Sequence, residues 1–188
     1  MFRFLSSMII ALMPLSAPAG EIDPELMSEA RALANEFVAA LKPQLKGALQ
    51  GQGPAGAIAV CADVAPQLAD SLSRTSGWAV KRVSLKNRNA SRAVPDAWEA
   101  RQLARFDTQA KAADKDTPLE HGEQTGSHFR YMKAQRVEPV CLVCHGQELS
   151  AEVIRALDTY YPDDIATGYV LGDVRGAISL SRRSANPR

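Results

Sequence analysis

The sequence predicts an α+β fold with an antiparallel sheet, because its helical patterns come first and its strand patterns come later. Residues 21–49 and 54–73 carry apolar side chains at the spacing of one helix face. Residues 78–86 and 128–135 have the composition and alternation of strands. Residues 167–181 are typical of a hairpin that turns at Gly172-Asp173. No βαβ pattern calls for a parallel sheet.

The two leading helices carry several signals that bound them. Asp23 is a candidate N-cap for the first helix, and Pro43 is expected to kink or end it. The glycine-rich residues 51–56 predict a loop between the two helices. Cys61 falls on the apolar face of the second helix, which Pro66 is expected to kink.

The later elements are shorter. Residues 96–113 and 150–161 predict helices, and the polar residues 114–126 predict a loop. Strict alternation in the last strand puts Val174 on the same face as Ile178. The helix over residues 96–113 supplies three candidate core residues: Trp98, Leu103 and Phe106.

The first 19 residues predict export. A basic start with Arg3 precedes an uncharged apolar run from Phe4 to Leu15, and Ala17-Pro18-Ala19 supplies the small residues of a cleavage site. The run is shorter than the ~20 residues that a helix needs to span a bilayer. A cleaved signal peptide and a periplasmic protein are therefore expected, with an uncleaved anchor as the alternative. After cleavage, no segment is expected to span a membrane.

The remaining chain is expected to form an N-terminal helix over residues 20–50 and one domain over residues 51–188. Cleavage removes one base, Arg3, from 22 and none of the 21 acids, which leaves equal numbers of bases and acids. This balance argues against a nucleic-acid-binding protein, which would carry a net basic surface.

The most informative segment is Cys141-Leu-Val-Cys144-His145. Cys-x-x-Cys-His is the attachment site of c-type haem. Two thiols at this spacing can add to the two vinyl groups of the porphyrin, and the histidine can bind the iron on one face of the ring. The motif therefore predicts one covalent haem c, with Cys141 and Cys144 as thioethers and His145 as the proximal iron ligand.

Two other interpretations of the motif stay open. A structural zinc site could use Cys141 and Cys144, with further ligands from His121, His128, His145 or Cys61, but the chain has no second Cys-x-x-Cys. A redox-active dithiol or a disulfide is the other, although such pairs normally open the helix of a βαβ unit. Covalent haem also accounts for the odd number of cysteines, since it leaves Cys61 without a partner.

The residue on the other side of the iron is not determined by the motif. That position could hold water, nothing or a side chain. The candidate side chains are Cys61, His121, His128, Met27 and Met132. A cysteine on an apolar helix face is most often a small core residue.

Four segments resemble a known family, the PAS-like periplasmic c-type haem sensors, first described as a domain of unknown function. They are AIAVCADVAPQLA (57–69), WAVKRVSLKNRNASRAVPDAWE (78–99), VCLVCHG (140–146) and ATGYVLGDVRGAISLS (166–181). The resemblance implies a PAS-like antiparallel sheet flanked by helices, with haem held against it. It also implies that Cys61 is the distal iron ligand.

Haem binding would further require apolar walls and bases for the propionates. Phe129 and Tyr131 are candidate wall residues, and Arg82 is a candidate propionate partner. Further candidates of both kinds are Leu142, Val60, Val64, Lys86, Arg88 and Arg130.

The expected function is a redox or diatomic-gas sensor that acts as a signalling module. A thiolate ligand favours ferric iron, and its release on reduction would open a site for a diatomic ligand. The chain shows no output domain, so a periplasmic signalling or redox partner is expected. The alternative is a small periplasmic electron-transfer cytochrome. No pattern of acid–base groups predicts an enzyme.

Overall fold

The computed structural model describes residues 22–183, so the expected signal peptide lies outside the described residues. The helices are α1 (Pro24–Ser76), α2 (Ala97–Ala112), α3 (Leu142–His145) and α4 (Ala151–Tyr160). The strands are β1 (Ala79–Val83), β2 (Glu120–Thr125), β3 (His128–Arg136) and β4 (Val174–Arg183). They form one antiparallel sheet in the order β1-β4-β3-β2. The α+β prediction is confirmed.

Helices cover both faces of the sheet. The core on the first face joins both halves of α1 to the sheet, through side chains such as Phe37, Leu72 and Phe129. The core on the second face joins α2 to the sheet, and there Phe106 packs with Met132. The three core residues predicted for α2 are all buried in this second core: Trp98, Leu103 and Phe106.

The predicted break between the leading helices is confined to one residue. Only Gly53 departs from helical geometry, with φ 71° and ψ −171°, a backbone conformation that glycine adopts most easily. The predicted loop over residues 51–56 is therefore too long, because a single residue of this range leaves the helical conformation. Helix α1 also continues through Pro43 and Pro66. Packing of the flanking turns on the sheet outweighs the hydrogen bond that each proline removes.

Two strand predictions were wrong. Residues 120–125, expected to be a loop, form β2, a polar strand at the edge of the sheet that pairs with β3 alone. Polar edge strands lack the apolar alternation that marks a buried strand. Residues 167–171, expected to be a strand, form no sheet pairing, because Tyr169 donates its N–H to the His145 carbonyl (3.0 Å).

A β-bulge reverses the predicted orientation of the start of β4. Gln135 pairs with Gly176 and Arg136 pairs with Val174, so Arg175 is an extra residue between them. Val174 therefore packs in the second core, on the opposite face from Ile178, where strict alternation placed them together. The bulge also sets the position of Arg175. No helix within residues 22–183 is long and apolar enough to cross a membrane.

Candidate functional site

The Cys-x-x-Cys-His segment forms a tight turn that continues into the short helix α3. A 3₁₀ turn covers Pro139–Cys141, and α3 follows directly. Cys141 is half-buried against Val137, while Cys144 packs near Ile58 of α1. No disulfide joins the cysteines of the described chain, so both thiols of the motif are free.

His145 is buried and has a defined orientation. Its Nδ1 lies 2.7 Å from the Ala166 carbonyl oxygen, which can only accept a hydrogen bond. Burial lowers the pKa of His145 well below its ordinary value, and the positive charges of Arg175 and Arg88 lower it further. The neutral ring therefore carries its proton on Nδ1. Nε2 is then the unprotonated nitrogen, whose lone pair can bind a metal ion.

The loop after α4 holds His145 in place. Gly168 donates its N–H to the Gly146 carbonyl (2.9 Å), and Tyr169 donates to the His145 carbonyl (3.0 Å). The Tyr169 ring stands edge-on to the imidazole, with 6.1 Å between ring centroids. Together with the bond from Nδ1 to Ala166, these contacts make the loop an outer support for the histidine.

Arg88 joins this loop to the motif. Its guanidinium forms an ion pair with Asp164 (3.1 Å) and donates to the carbonyl oxygens of Cys144 and Ala166. The Arg88 and Asp164 side chains are only 10% and 6% exposed. Each partner of a buried ion pair would be costly to bury alone, so removing either one is expected to destabilise the protein.

A cavity opens beside His145, between α1 and the β1–β4 edge of the sheet. Cys61 lines it from α1, Arg82 from β1, and Arg175 from β4. Arg175 Nη1 lies 3.5 Å from His145 Nε2. The volume of the cavity is about 100 Å³. The cavity therefore brings together His145 and Cys61, which the motif and the family resemblance assigned to the iron.

The cavity is strongly basic. Its lining contains six basic side chains and neither Asp nor Glu. Three of these bases pair with carboxylates elsewhere: Lys81, Arg88 and Arg92. Within residues 22–183, neither Arg82 nor Arg175 forms an ion pair. Burial and the nearby charge of Arg82 lower the pKa of Arg175 to about 10. An anionic ligand would relieve this repulsion.

The structure brings only part of the predicted site to this cavity. Phe129 and Tyr131 do not line it: both lie in the first core, where the Tyr131 hydroxyl donates to Glu120 (2.7 Å). Val64 packs on the same core, and Arg130 pairs with Asp96 instead. Lys86 and Arg88, two further candidates for propionate binding, do line the cavity.

The other candidates for the distal ligand lie away from the cavity. His121 is near Trp98, His128 is exposed at the start of β3, and Met132 is buried in the second core. Met27 packs on the first core. None of these four side chains lines the cavity.

Sequence reasoning missed Arg175 as a site residue, because alternation along β4 placed it as an ordinary side chain of the sheet. The signal was Gly176, whose absent Cβ would lie 2.5 Å from the Val83 carbonyl oxygen. A glycine inside a strand pattern often marks a bulge, and a bulge re-aims the neighbouring side chain.

The chemistry of the donors fits a haem, but Cys141 and Cys144 do not line the cavity, and the space requires adjustment. One neutral imidazole, one thiol on a facing helix and two unpaired arginines match an iron and two propionates. The cavity volume of about 100 Å³ is smaller than the ~300–1,000 Å³ of typical cofactor sites, so binding a haem would require side chains such as Arg82 and Arg175 to move aside. For zinc, no group of three His, Cys, Asp or Glu side chains clusters within the described residues.

Comparison with known proteins places the chain in a family. The chain covers 99% of the crystal structure of the cyanobacterial heme-protein Tll0287, over 89% of its own length, with a TM-score of 0.64 and 20% identity. At that identity the likeness shows a shared fold. No curated protein matches the sequence. The model of the Tll0287-like family matches residues 19–182, and the chain therefore belongs to the Tll0287-like family.

Proposed function

We propose that this chain is a c-type haem protein that senses redox state or a diatomic gas. Cys141 and Cys144 would bond one haem covalently, and His145 would bind its iron. The observation that carries the proposal is the single cavity that His145, Cys61 and two unpaired arginines share. The solved relative is described as a heme-protein, which agrees with this assignment.

His145 is suited to the proximal position. The hydrogen bond from Nδ1 to Ala166 fixes the tautomer and the ring plane, and it makes the free Nε2 a better donor to iron. A bound haem would supply an iron that changes oxidation state and accepts diatomic ligands at an open position.

Cys61 is the distal ligand in this proposal. It lines the cavity from α1, whereas the four other candidate side chains lie elsewhere. A thiolate favours ferric iron, so a low reduction potential is expected.

Arg82 and Arg175 would bind the two haem propionates. Both line the cavity without a carboxylate partner in the described chain, and each can form charge-assisted hydrogen bonds. Moving toward the propionates would also take Arg175 away from His145 Nε2, which it approaches to 3.5 Å.

The sensing role is supported by the helix that carries Cys61. This half of α1 begins after the break at Gly53, and the Ala55 N–H contacts the Glu152 carboxylate of α4 at 3.5 Å. Further along, Ala65 and Leu72 pack on the sheet. A change in the bonding of Cys61 would therefore shift the contacts of this helix with α4 and the sheet. Such a shift could be recognised by a periplasmic signalling or redox partner.

A test of sensing is whether ligation depends on redox state. We would titrate the ferrous protein with CO and follow its absorption bands, with Cys61→Ala as the open-site reference. Saturable CO binding by the wild-type protein supports a displaceable Cys61. If only Cys61→Ala binds CO, ligation is fixed, and the small electron-transfer cytochrome becomes the better assignment.

We also propose export to the periplasm through residues 1–19, with no enzymatic activity of the mature chain. Mass spectrometry of the protein from a periplasmic extract tests this. A mass that starts at Gly20 supports cleavage after Ala19. A full-length mass in the membrane fraction would indicate an uncleaved anchor.

A further inference from the structure

A second, larger cavity lies next to the haem site proposed above and shares part of its lining. It is a groove of about 580 Å³ between α2, the start of β4 and residues 169–173. Its floor contains the buried side chains of Leu103, Val174 and Tyr169. Leu85 and Leu171 flank it and are 46% and 63% exposed. This volume falls within the ~300–1,000 Å³ range of small-molecule sites.

The groove carries an excess of positive charge. Four bases line it, Lys86, Lys111, Lys115 and Arg136, against two acids, Asp107 and Asp173. None of the four bases forms an ion pair with a carboxylate within residues 22–183. Unpaired bases around an apolar floor complement a ligand with an anionic group and an apolar body.

Arg136 adds a second observation. Its Nη atoms donate to the carbonyls of Ala110 and Asp114 at the end of α2, at 3.3 and 3.2 Å. Its Nε is buried and has no hydrogen-bond partner. The two hydrogen bonds hold the charged guanidinium in the lining of the groove, where it can attract an anionic group.

The groove and the His145 site share a wall. Lys86, Ser84 and Gly176 line both cavities. Tyr169 lines the groove, stacks edge-on against His145 and donates its N–H to the His145 carbonyl. A ligand that presses on Tyr169 would therefore act on the loop that fixes the imidazole.

We propose that this groove binds a small organic carboxylate with an apolar chain, and that its occupancy changes the environment of His145 through Tyr169. The carboxylate would lie against Lys111, Lys115 and Arg136, and the apolar chain would lie on Leu103 and Val174. The effect on His145 rests on the haem assignment proposed above, whereas the binding itself does not.

The test uses the haem-loaded mature chain and decanoate as the probe. Isothermal titration should show saturable binding of decanoate, with acetate and decyltrimethylammonium as controls that lack the tail or reverse the charge. Lys111→Glu/Lys115→Glu should weaken binding at least about tenfold, because charge-assisted contacts are lost and repulsion is added. Lys46→Glu, at an exposed position of α1, should bind as the wild type does. Equal binding of the decyl cation, or no loss in the double variant, would overturn the groove assignment.

A second readout examines the link to His145. Decanoate should shift the ferric haem absorption bands or the midpoint potential at the concentration at which it binds. Tyr169→Leu, examined at a decanoate concentration that saturates the variant, should lose the shift, since the edge-on contact with His145 is gone. Decanoate binding without any shift of the haem bands or midpoint potential would overturn the link to His145 and leave the assignment of the groove in place. Absence of haem, seen in the haemochrome spectrum, would instead contradict the haem assignment and leave the calorimetric test of the groove intact.

Discussion

The Nδ1 atom of His145 lies 2.7 Å from the carbonyl oxygen of Ala166, a residue 21 positions later in the chain. This contact orients the imidazole, and it depends on a loop that forms no regular structure. The loop is in turn tied to the Cys141–His145 motif by Arg88.

Arg88→Met should destabilise the protein by about 3–5 kcal/mol, because it leaves the Asp164 carboxylate buried without its partner. Urea unfolding followed by circular dichroism measures the loss. The matched control is Lys42→Met, which breaks the exposed Lys42–Glu138 pair and should cost less than about 1 kcal/mol. Similar losses in the two variants would contradict a structural role for the buried pair.

Glu120→Gln should make the protein less sensitive to acid. The bidentate contact with Arg31 lowers the pKa of Glu120, and the Tyr131 hydroxyl lowers it further. A carboxyl whose pKa is lowered on folding contributes stability above its unfolded pKa of about 4.5, and that stability is lost as the pH falls through the folded pKa. The wild type should therefore lose stability below about pH 5.

Thermal unfolding at several pH values between 7 and about 3 checks this prediction. The Glu120→Gln variant should be less stable than the wild type at pH 7, and its unfolding temperature should fall less on acidification. Glu36→Gln, at an exposed position of α1, serves as the control and should follow the wild type. Parallel pH profiles for all three proteins would exclude this pair as a source of acid sensitivity.

Gly176→Ala should disturb both the sheet and the proposed haem site. A Cβ at this position would lie 2.5 Å from the Val83 carbonyl oxygen, so β1 and β4 would have to separate. A cost of about 3 kcal/mol is expected from such overpacking. Gly126→Ala is the control, since its left-handed φ of 56° strains alanine but nothing lies within 4 Å; it should cost about 1 kcal/mol.

Haem content provides a separate readout for Gly176→Ala. The substitution should lower the haem-to-protein ratio because it moves Arg175, the neighbouring bulge residue, in the cavity wall. Equal stability and equal haem content in the two glycine variants would show that the close approach at Gly176 does not matter.

Much of the fold could be predicted from local patterns. The apolar spacing in α1 and α2 and the alternation in β3 report which side chains share a face, and the structure buries the apolar ones. Family membership also followed from the sequence. In contrast, β2 was missed because Glu120, Gln124 and their neighbours are polar at a sheet edge, where solvation replaces apolar packing.

The site was harder to predict because it depends on contacts between distant segments. The motif pointed to His145, and the family resemblance pointed to Cys61; the structure places both at one cavity. Phe129 and Tyr131 were chosen for their strand character, but both faces of the sheet are buried, and these rings lie in the first core. Arg175 depends on a bulge, which a period of two residues cannot reveal.

Substituting the thiols of the motif should change how haem is attached. Cys141→Ser and Cys144→Ser should each retain one thioether, and the double variant should release its haem into acidic butanone. Pyridine haemochrome spectra should shift as each thioether is lost. Cys61→Ser is the matched control and should keep both covalent bonds. Extraction of haem from the wild type, or from Cys61→Ser, would contradict attachment through Cys141 and Cys144.

The most direct test of the account asks whether His145 and Cys61 bind the same iron. Ferric absorption and electron paramagnetic resonance spectra would be recorded for the wild type, for Cys61→Ala and for the adjacent control Ala62→Ser. The account predicts a low-spin signal of thiolate ligation in the wild type and in Ala62→Ser, and its loss in Cys61→Ala with the haemochrome unchanged. Identical ferric spectra for all three proteins would contradict the ligation of Cys61 and leave it a core thiol.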